Sequence, residues 1–126
     1  MEQSMSSKKI LVADDEPNLV RSLTFILQRE GYDATAASNG EEALDKIRQS
    51  KPDLVFLDVM MPKKNGYEVC REIKQTPDLR DIYVIMLTAK GQDVDREQGV
   101  GAGADEFITK PFGLLEIVAR VKKVLG

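Results

Sequence analysis

Five short apolar runs separated by longer stretches of helical spacing constrain this chain more than any other feature. The runs are Ile10-Leu11-Val12-Ala13, residues 34–37, Leu54-Val55-Phe56-Leu57, residues 83–87 and Phe107-Ile108. Between them, apolar residues recur at helical intervals. Leu19, Leu23, Ile26 and Leu27 form the first such set, which stops at Gly31, a suitable C-terminal cap. Ala43, Leu44 and Ile47 follow Asn39-Gly40, and Val69, Cys70 and Ile73 follow Asn65-Gly66. Leu114, Ile117, Val118, Val121 and Leu125 make the last. Five β–α units in alternation predict an α/β fold, a doubly wound parallel sheet with helices on both faces.

Strand polarity suggests the order. The first, third and fourth runs are almost wholly apolar, as strands buried on both faces must be. The second (residues 33–37) and fifth (residues 106–109) carry polar side chains, which suits sheet edges. The order 2-1-3-4-5 satisfies this, the flavodoxin-like (βα)5 arrangement. No second domain, linker or repeat is apparent in the 126 residues. Glycines at 91, 99, 101 and 103 weaken the fourth helical stretch. Each glycine inside a helix costs roughly 1 kcal/mol relative to alanine, so that helix is expected to be short or mobile, with Gly103 an alternative C-cap.

Composition removes several classes of function. A net charge of −3 provides no general basic field for nucleic acid. No apolar run approaches the ~20 residues of a membrane span, and residues 1–7 lack a signal-peptide core, so they read as a disordered lead-in to a cytoplasmic protein. One cysteine, Cys70, excludes an internal disulfide and a cysteine metal cluster, and its helical position makes it a small core residue. There is no histidine. Chemistry here must run on carboxylates, hydroxyls and lysines.

In open α/β sheets, ligands bind beyond the carboxyl ends of the strands, at the switch point of the strand order. Asp14 and Asp15 follow the first strand, Asp58 the third, Thr88 the fourth and Lys110 the fifth. Read singly, each has an ordinary explanation. Asp14-Asp15 can cap the first helix, with Pro17 in its first turn, Thr88 can cap a helix, and Lys110 before Pro111 can be a turn. Together they place three carboxylates, a hydroxyl and an ammonium in one pocket. Clustered acids with one lysine call for a cation, and hard oxygen ligands suit Mg²⁺. The expected direct ligands are Asp15 and Asp58, with Asp14 acting through water. Asp58 is the candidate nucleophile for a phosphoryl group, because carboxylates form acyl-phosphates. Mg²⁺, Lys110 and the Thr88 hydroxyl can each hold one phosphoryl oxygen, and Ala89 is small enough to leave the pocket open.

At these residues the sequence closely resembles the receiver domain of two-component response regulators, the chemotaxis-type single-domain receiver fold. The resemblance runs through Ile10-Leu11-Val12-Ala13-Asp14-Asp15-Glu16, the segment from Asp53 through Asp58 to Pro62, Leu87-Thr88-Ala89, and Gly103-Ala104-Asp105 through Lys110-Pro111-Phe112. It covers about residues 8–125, so residues 8–126 are expected to be one receiver domain. The resemblance implies that Asp58 is the phosphoacceptor, that Asp14 and Asp15 organise Mg²⁺ and that the Met60 carbonyl completes the metal's protein ligands. It makes Thr88 the switch hydroxyl, Lys110 the phosphate-binding lysine and Phe107 the aromatic whose position reports activation. It implies a cis Lys110–Pro111 bond. Met60 and Lys90 match positions that tune hydrolysis. Neither offers a carboxylate to orient water, so slow autodephosphorylation is expected.

The same resemblance implies a regulatory domain that catalyses only its own phosphorylation and dephosphorylation. Its donor would be a sensor histidine kinase, a histidine phosphotransfer protein or a small molecule such as acetyl phosphate. The kinase would contact the loop and first helix near residues 16–22, although Leu19, Leu23 and Ile26 also read as core. Phosphorylation would reshape the surface of the fourth helix, fifth strand and fifth helix and so control an output partner or domain. Direct nucleic-acid binding or membrane insertion is not expected. Phosphorylation-dependent dimerisation through the fourth and fifth helices stays open, as does a stand-alone receiver against a piece of a longer regulator. A haloacid-dehalogenase-type phosphatase also uses an aspartyl phosphate, but it wants an aspartate where Met60 stands. A flavin carrier shares the fold type, but an acidic pair after the first strand would repel a flavin phosphate.

Overall fold

A computed structural model describes residues 7–89 and 101–126. Five strands, β1 (Lys9–Ala13), β2 (Asp33–Ala37), β3 (Leu54–Asp58), β4 (Tyr83–Ala89) and β5 (Glu106–Lys110), form one parallel sheet in the order β2-β1-β3-β4-β5. The described helices are α1 (Pro17–Arg29), α2 (Gly40–Ser50), α3 (Gly66–Gln75) and α4 (Leu114–Leu125). The last corresponds to the fifth helical stretch of the sequence. The fourth stretch, with Lys90, Gly91 and Gly99, lies outside the described residues, as does the expected lead-in except for Ser7.

Strand alternation splits the core in two. Ile10, Val12, Leu54, Phe56, Ile85, Leu87 and Ile108 pack on one face against Leu23 and Leu27 of α1 and Ile117 and Val121 of α4. Leu11, Ala13, Val55, Leu57, Val84 and Met86 pack on the other against α2 and α3 through Ala43, Leu44, Ile47, Val69 and Ile73. Cys70 belongs to that second cluster. β3 is buried along its whole length, whereas the edge strands β2 and β5 alternate or mix exposure. The fold class and strand order agree with the expectation.

The helix starts follow local chemistry. Asn39 Oδ1 accepts from Glu42 N–H at 2.8 Å. Asn65 and Glu68 form a reciprocal capping box, each side chain accepting from the other's backbone at 2.9 Å. α1 begins differently. Its N-cap is Glu16 without a side-chain cap, and Pro17 opens the helix. The aspartate pair therefore does not cap α1, because Asp14 Oδ1 instead accepts from Glu16 N–H at 2.9 Å, closing a turn just before the helix. Gly31 has a φ of 97° and lies beyond the last turn of α1, which ends at Arg29.

Gly66 seats α3 against the end of β3. A Cβ there would lie 2.5 Å from the Asp58 carbonyl oxygen and 3.0 Å from Met86 Cε. Gly66 N–H also donates to Val59 O at 3.0 Å. Replacement by alanine must push α3 off the strand. Gly66→Ala is expected to lower stability by about 1–3 kcal/mol in urea unfolding. Gly113→Ser, whose added atoms meet open space, should leave it within roughly 0.5 kcal/mol.

Candidate functional site

Because all five strands are parallel, their carboxyl ends lie along one edge, and the order 2-1-3 makes β1 and β3 neighbours. Ala13 pairs with Leu57 across that boundary, so the residues that follow, Asp14 and Asp58, emerge side by side. Asp14, Asp15 and Asp58 each offer a carboxylate oxygen within 4.8 Å of the others. Asp14 is 1% exposed and Asp58 6%, while Asp15 faces solvent. Thr88 and Ala89 end β4, opposite Thr109 and Lys110 of β5. The sequence reading brought Asp14, Asp15, Asp58, Thr88, Ala89 and Lys110 to one end of the sheet, and the fold places them there.

Lys110 is the cation of the cluster among the described residues. Its Nζ lies 2.8 Å from Asp14 Oδ2, 3.5 Å from Asp58 Oδ1 and 3.8 Å from Glu16 Oε1. Glu16 is the acid that sequence reasoning did not assign to Lys110. Its signal was present, as the third residue of an acidic triplet, but the N-cap position that turns it toward Lys110 becomes visible only in the fold. Burial opposes the charge on Lys110, yet the Asp14 and Asp58 carboxylates outweigh it and raise the ammonium's pKa. The Lys110–Pro111 bond is cis.

Among the described residues, Asp58 is the most perturbed carboxylic acid. Burial, then the Asp14 charge, push its carboxyl from 3.8 to about 6. Lys110 and the Met60 N–H, 3.4 Å from Asp58 Oδ1, oppose that rise without cancelling it, and Asp15 adds to it. Asp14 Oδ2 is buried with no aligned hydrogen-bond donor, its compensation being the Lys110 charge beside it. Surplus negative charge on hard oxygens and an incompletely satisfied carboxylate fit a hard divalent cation such as Mg²⁺. The Met60 side chain is 64% exposed and offers the pocket nothing beyond its backbone. Thr88 is buried at 3%, and Phe107, half-buried, packs on the α2–α3 side of the sheet. Phe107 pairs with Met86, two residues before Thr88, so alternation puts Phe107 and Thr88 on one face. An apolar groove of about 370 Å³, lined by Glu16, Leu19, Ala89, Lys110, Pro111 and Phe112, opens beside the acids.

The comparisons with known proteins agree with this geometry. The family model for the response regulator receiver domain matches residues 10–122. The chain belongs to that family. Its fold is the flavodoxin-like receiver fold, and its function is that of a phosphoaccepting signalling switch. The receiver is 50% identical over 119 residues to the alkaline phosphatase synthesis transcriptional regulatory protein PhoP of Bacillus subtilis (strain 168). That match covers 94% of this chain and 49% of PhoP, so the chain spans about half the length of this curated relative. Among solved structures, the signal receiver domain of a signal transduction histidine kinase from Syntrophus aciditrophicus is 39% identical, with a TM-score of 0.88 over 94% of this chain and 90% of that one. The receiver domain of sensor histidine kinase PA1611 from Pseudomonas aeruginosa PAO1, with a magnesium ion coordinated in its active-site cleft, is 27% identical. Its TM-score is 0.86, over 96% of this chain and 99% of that one.

The raised Asp58 pKa has a stability consequence. The folded receiver holds this proton to a higher pH than the unfolded chain does. The stability tied to protonated Asp58 is therefore full below pH 3.8 and is lost as pH rises through about 6. In chelator at pH 7.5, Asp58→Asn should be more stable than wild type by about 1–3 kcal/mol, and the gain should shrink as pH falls toward 4. Urea melts across this range test it. A variant less stable than wild type at neutral pH without metal would contradict the cause assigned to the shift.

Proposed function

We propose that Asp58 accepts a phosphoryl group from an external phosphohistidine or a small acyl phosphate, in a receiver domain formed by residues 8–126. The observation that carries this is the Asp58 carboxylate, nearly buried, with the Lys110 ammonium 3.5 Å away and two further acids in the same pocket. An Asp58 carboxylate oxygen attacks the phosphorus. The new O–P bond forms as the donor's P–N or P–O bond breaks, and the leaving group departs with its electron pair. Such transfer depends on positioning and charge neutralisation more than on covalent help.

Each pocket residue has a part. Asp14, Asp15 and Asp58, with the Met60 carbonyl, would hold Mg²⁺, which when bound supplies the charge neutralisation that lets an anionic donor approach. The magnesium in the cleft of the PA1611 receiver domain supports this assignment. Lys110, already paired with Asp14, binds a phosphoryl oxygen. The Thr88 hydroxyl binds another, and the small Ala89 leaves room for the group. As Thr88 moves toward the phosphoryl oxygens, Phe107, on the same face, follows into the space released. The surface around β5 and α4 then changes shape, together with the fourth helical stretch, and carries the signal to an output partner or domain.

The donor is a sensor histidine kinase or a histidine phosphotransfer protein, docked near residues 16–22. The absence of any histidine means that the chain cannot supply its own phosphohistidine. None of the described helices is long and apolar enough to cross a membrane, and we place the domain in the cytoplasm. It does not bind nucleic acid directly, as its net charge of −3 suggests.

Treatment with acetyl phosphate and Mg²⁺, read by intact-protein mass spectrometry, should add one phosphoryl group to wild type and none to Asp58→Asn. The adduct should be acid-stable and base-labile. Stoichiometric labelling of the variant would mean another acceptor. Because neither Met60 nor Lys90 can orient an attacking water, the adduct should persist for minutes or longer after donor removal. Loss within seconds would remove the role given to these two positions.

A further inference from the structure

β5 delivers Lys110 to the acids, yet it specifies its own register poorly. It is an edge strand of five residues, and only Ile108 is buried. Where one face of a strand is firmly buried, a one-residue slip is strongly disfavoured; β5, with one buried and three half-buried residues, keeps only part of that protection. Something outside the strand must hold it.

The hold is at its base. Asp105, just before β5, clasps Val84 twice. Its N–H donates to Val84 O at 2.9 Å, and its Oδ2 accepts from Val84 N–H at 2.8 Å. The same Oδ2 accepts from Lys74 Nζ at 2.9 Å. Lys74, near the end of α3, also donates to Ile82 O at 2.7 Å and Arg80 O at 3.1 Å. One ammonium thus ties a helix, the approach to β4 and the approach to β5. The Lys74 stem fits against Gly103, where a Cβ would come within 2.9 Å of Lys74 Cγ. Gly103 also has a φ of 95°, so the chain turns tightly under the lysine. From Asp105 the chain runs straight up β5, about 16 Å, to Lys110.

We propose that Lys74 is a positioning residue for Lys110: through Asp105 it fixes the base of β5 on β4, and so the register that brings the Lys110 ammonium to Asp14 and Asp58. This rests on the reading of Asp58 as acceptor and Lys110 as phosphate ligand. A merely structural ion pair would give the same contacts but would act on stability alone. Positioning predicts more. Lys74 should affect phosphoryl transfer only when Lys110 is there to be positioned, and should leave the acids of β1 and β3 alone.

A double-mutant cycle separates the two. Wild type, Lys74→Met, Lys110→Ala and the double variant are phosphorylated by acetyl phosphate at saturating Mg²⁺, with folding checked by circular dichroism. Lys74→Met should slow transfer roughly ten- to a hundredfold, the range in which ångström-scale misplacement acts. It should have almost no effect in the Lys110→Ala background, and Lys74→Arg should restore most of the rate. Mg²⁺ affinity by calorimetry should change by less than about threefold, because the metal-holding acids are not on β5. Amide shifts of residues 106–110 should move in Lys74→Met while those of residues 10–12 and 54–56, away from the Lys110 ammonium, stay. An unchanged rate, equal slowing in both backgrounds, or parallel loss of Mg²⁺ binding would overturn the proposal. If wild type takes no phosphoryl group, the acceptor reading falls instead. The amide shifts then decide alone whether Lys74 sets β5, and unmoved shifts at residues 106–110 refute it.

Discussion

Three carboxylates facing one ammonium at the end of a parallel sheet is the arrangement on which the rest depends. Like charges at this spacing repel, and burial makes that repulsion stronger. The receiver keeps Asp14 and Asp58 in place because their backbones are fixed by β1 and β3, which are buried and paired with each other. The adjacency of those two strands comes from the order 2-1-3-4-5, in which the chain reverses direction across the sheet once, after β2, so that right-handed crossovers put α1 on one face and α2 and α3 on the other. Gly66 then lets α3 lie directly on the Asp58 carbonyl. Remove any of these and the acids have room to move apart.

Most of the fold could be read from the chain because its signals are local. Apolar runs bounded by Asn-Gly pairs mark strands and helix starts, and Asn39 and Asn65 do cap α2 and α3. The polar edges were legible for the same reason: β2 and β5 carry Asp33, Thr35, Glu106 and Thr109. Strand ends were harder. β4 continues through Thr88 and Ala89 because β5 keeps pairing with it as far as Lys110, a long-range effect with no trace in local periodicity. Within the site, residue identity was legible and relative depth was not. Asp14 and Asp15 are adjacent letters, yet one is buried and the other exposed, because the chain leaves β1 through a turn closed by the Asp14 side chain. Nor does sequence tell that Lys110 sits closer to Asp14 than to Asp58.

That last distance bears on how the site can work. A lysine bonded tightly to Asp58, the acceptor we propose, would neutralise it and compete with an incoming phosphoryl group. Here the closer partner is Asp14, at 2.8 Å against 3.5 Å for Asp58. The ammonium is thus held beside the proposed acceptor by Asp14, which forms no bond to phosphorus in the proposed transfer. Asp58 keeps a raised pKa, and its contacts to the Met60 N–H and Lys110 are long, at 3.4 Å and 3.5 Å, which suits the nucleophile we propose. The cost falls on stability, as usual for sites arranged for function rather than for folding.

β5 joins these demands to signalling. In the switch we propose, its upper end places Lys110 accurately, while Phe107, two residues before Thr109, shifts with Thr88. A strand buried on both faces could not do both, because moving any residue would break packing along its length. An edge strand, paired on one side only and clasped at its foot, can. The clasp of Asp105 on Val84, reinforced by Lys74, fixes the foot, and above it only Ile108 is fully buried. A weak strand on a firm anchor is therefore the form that accurate placement and conformational change together require.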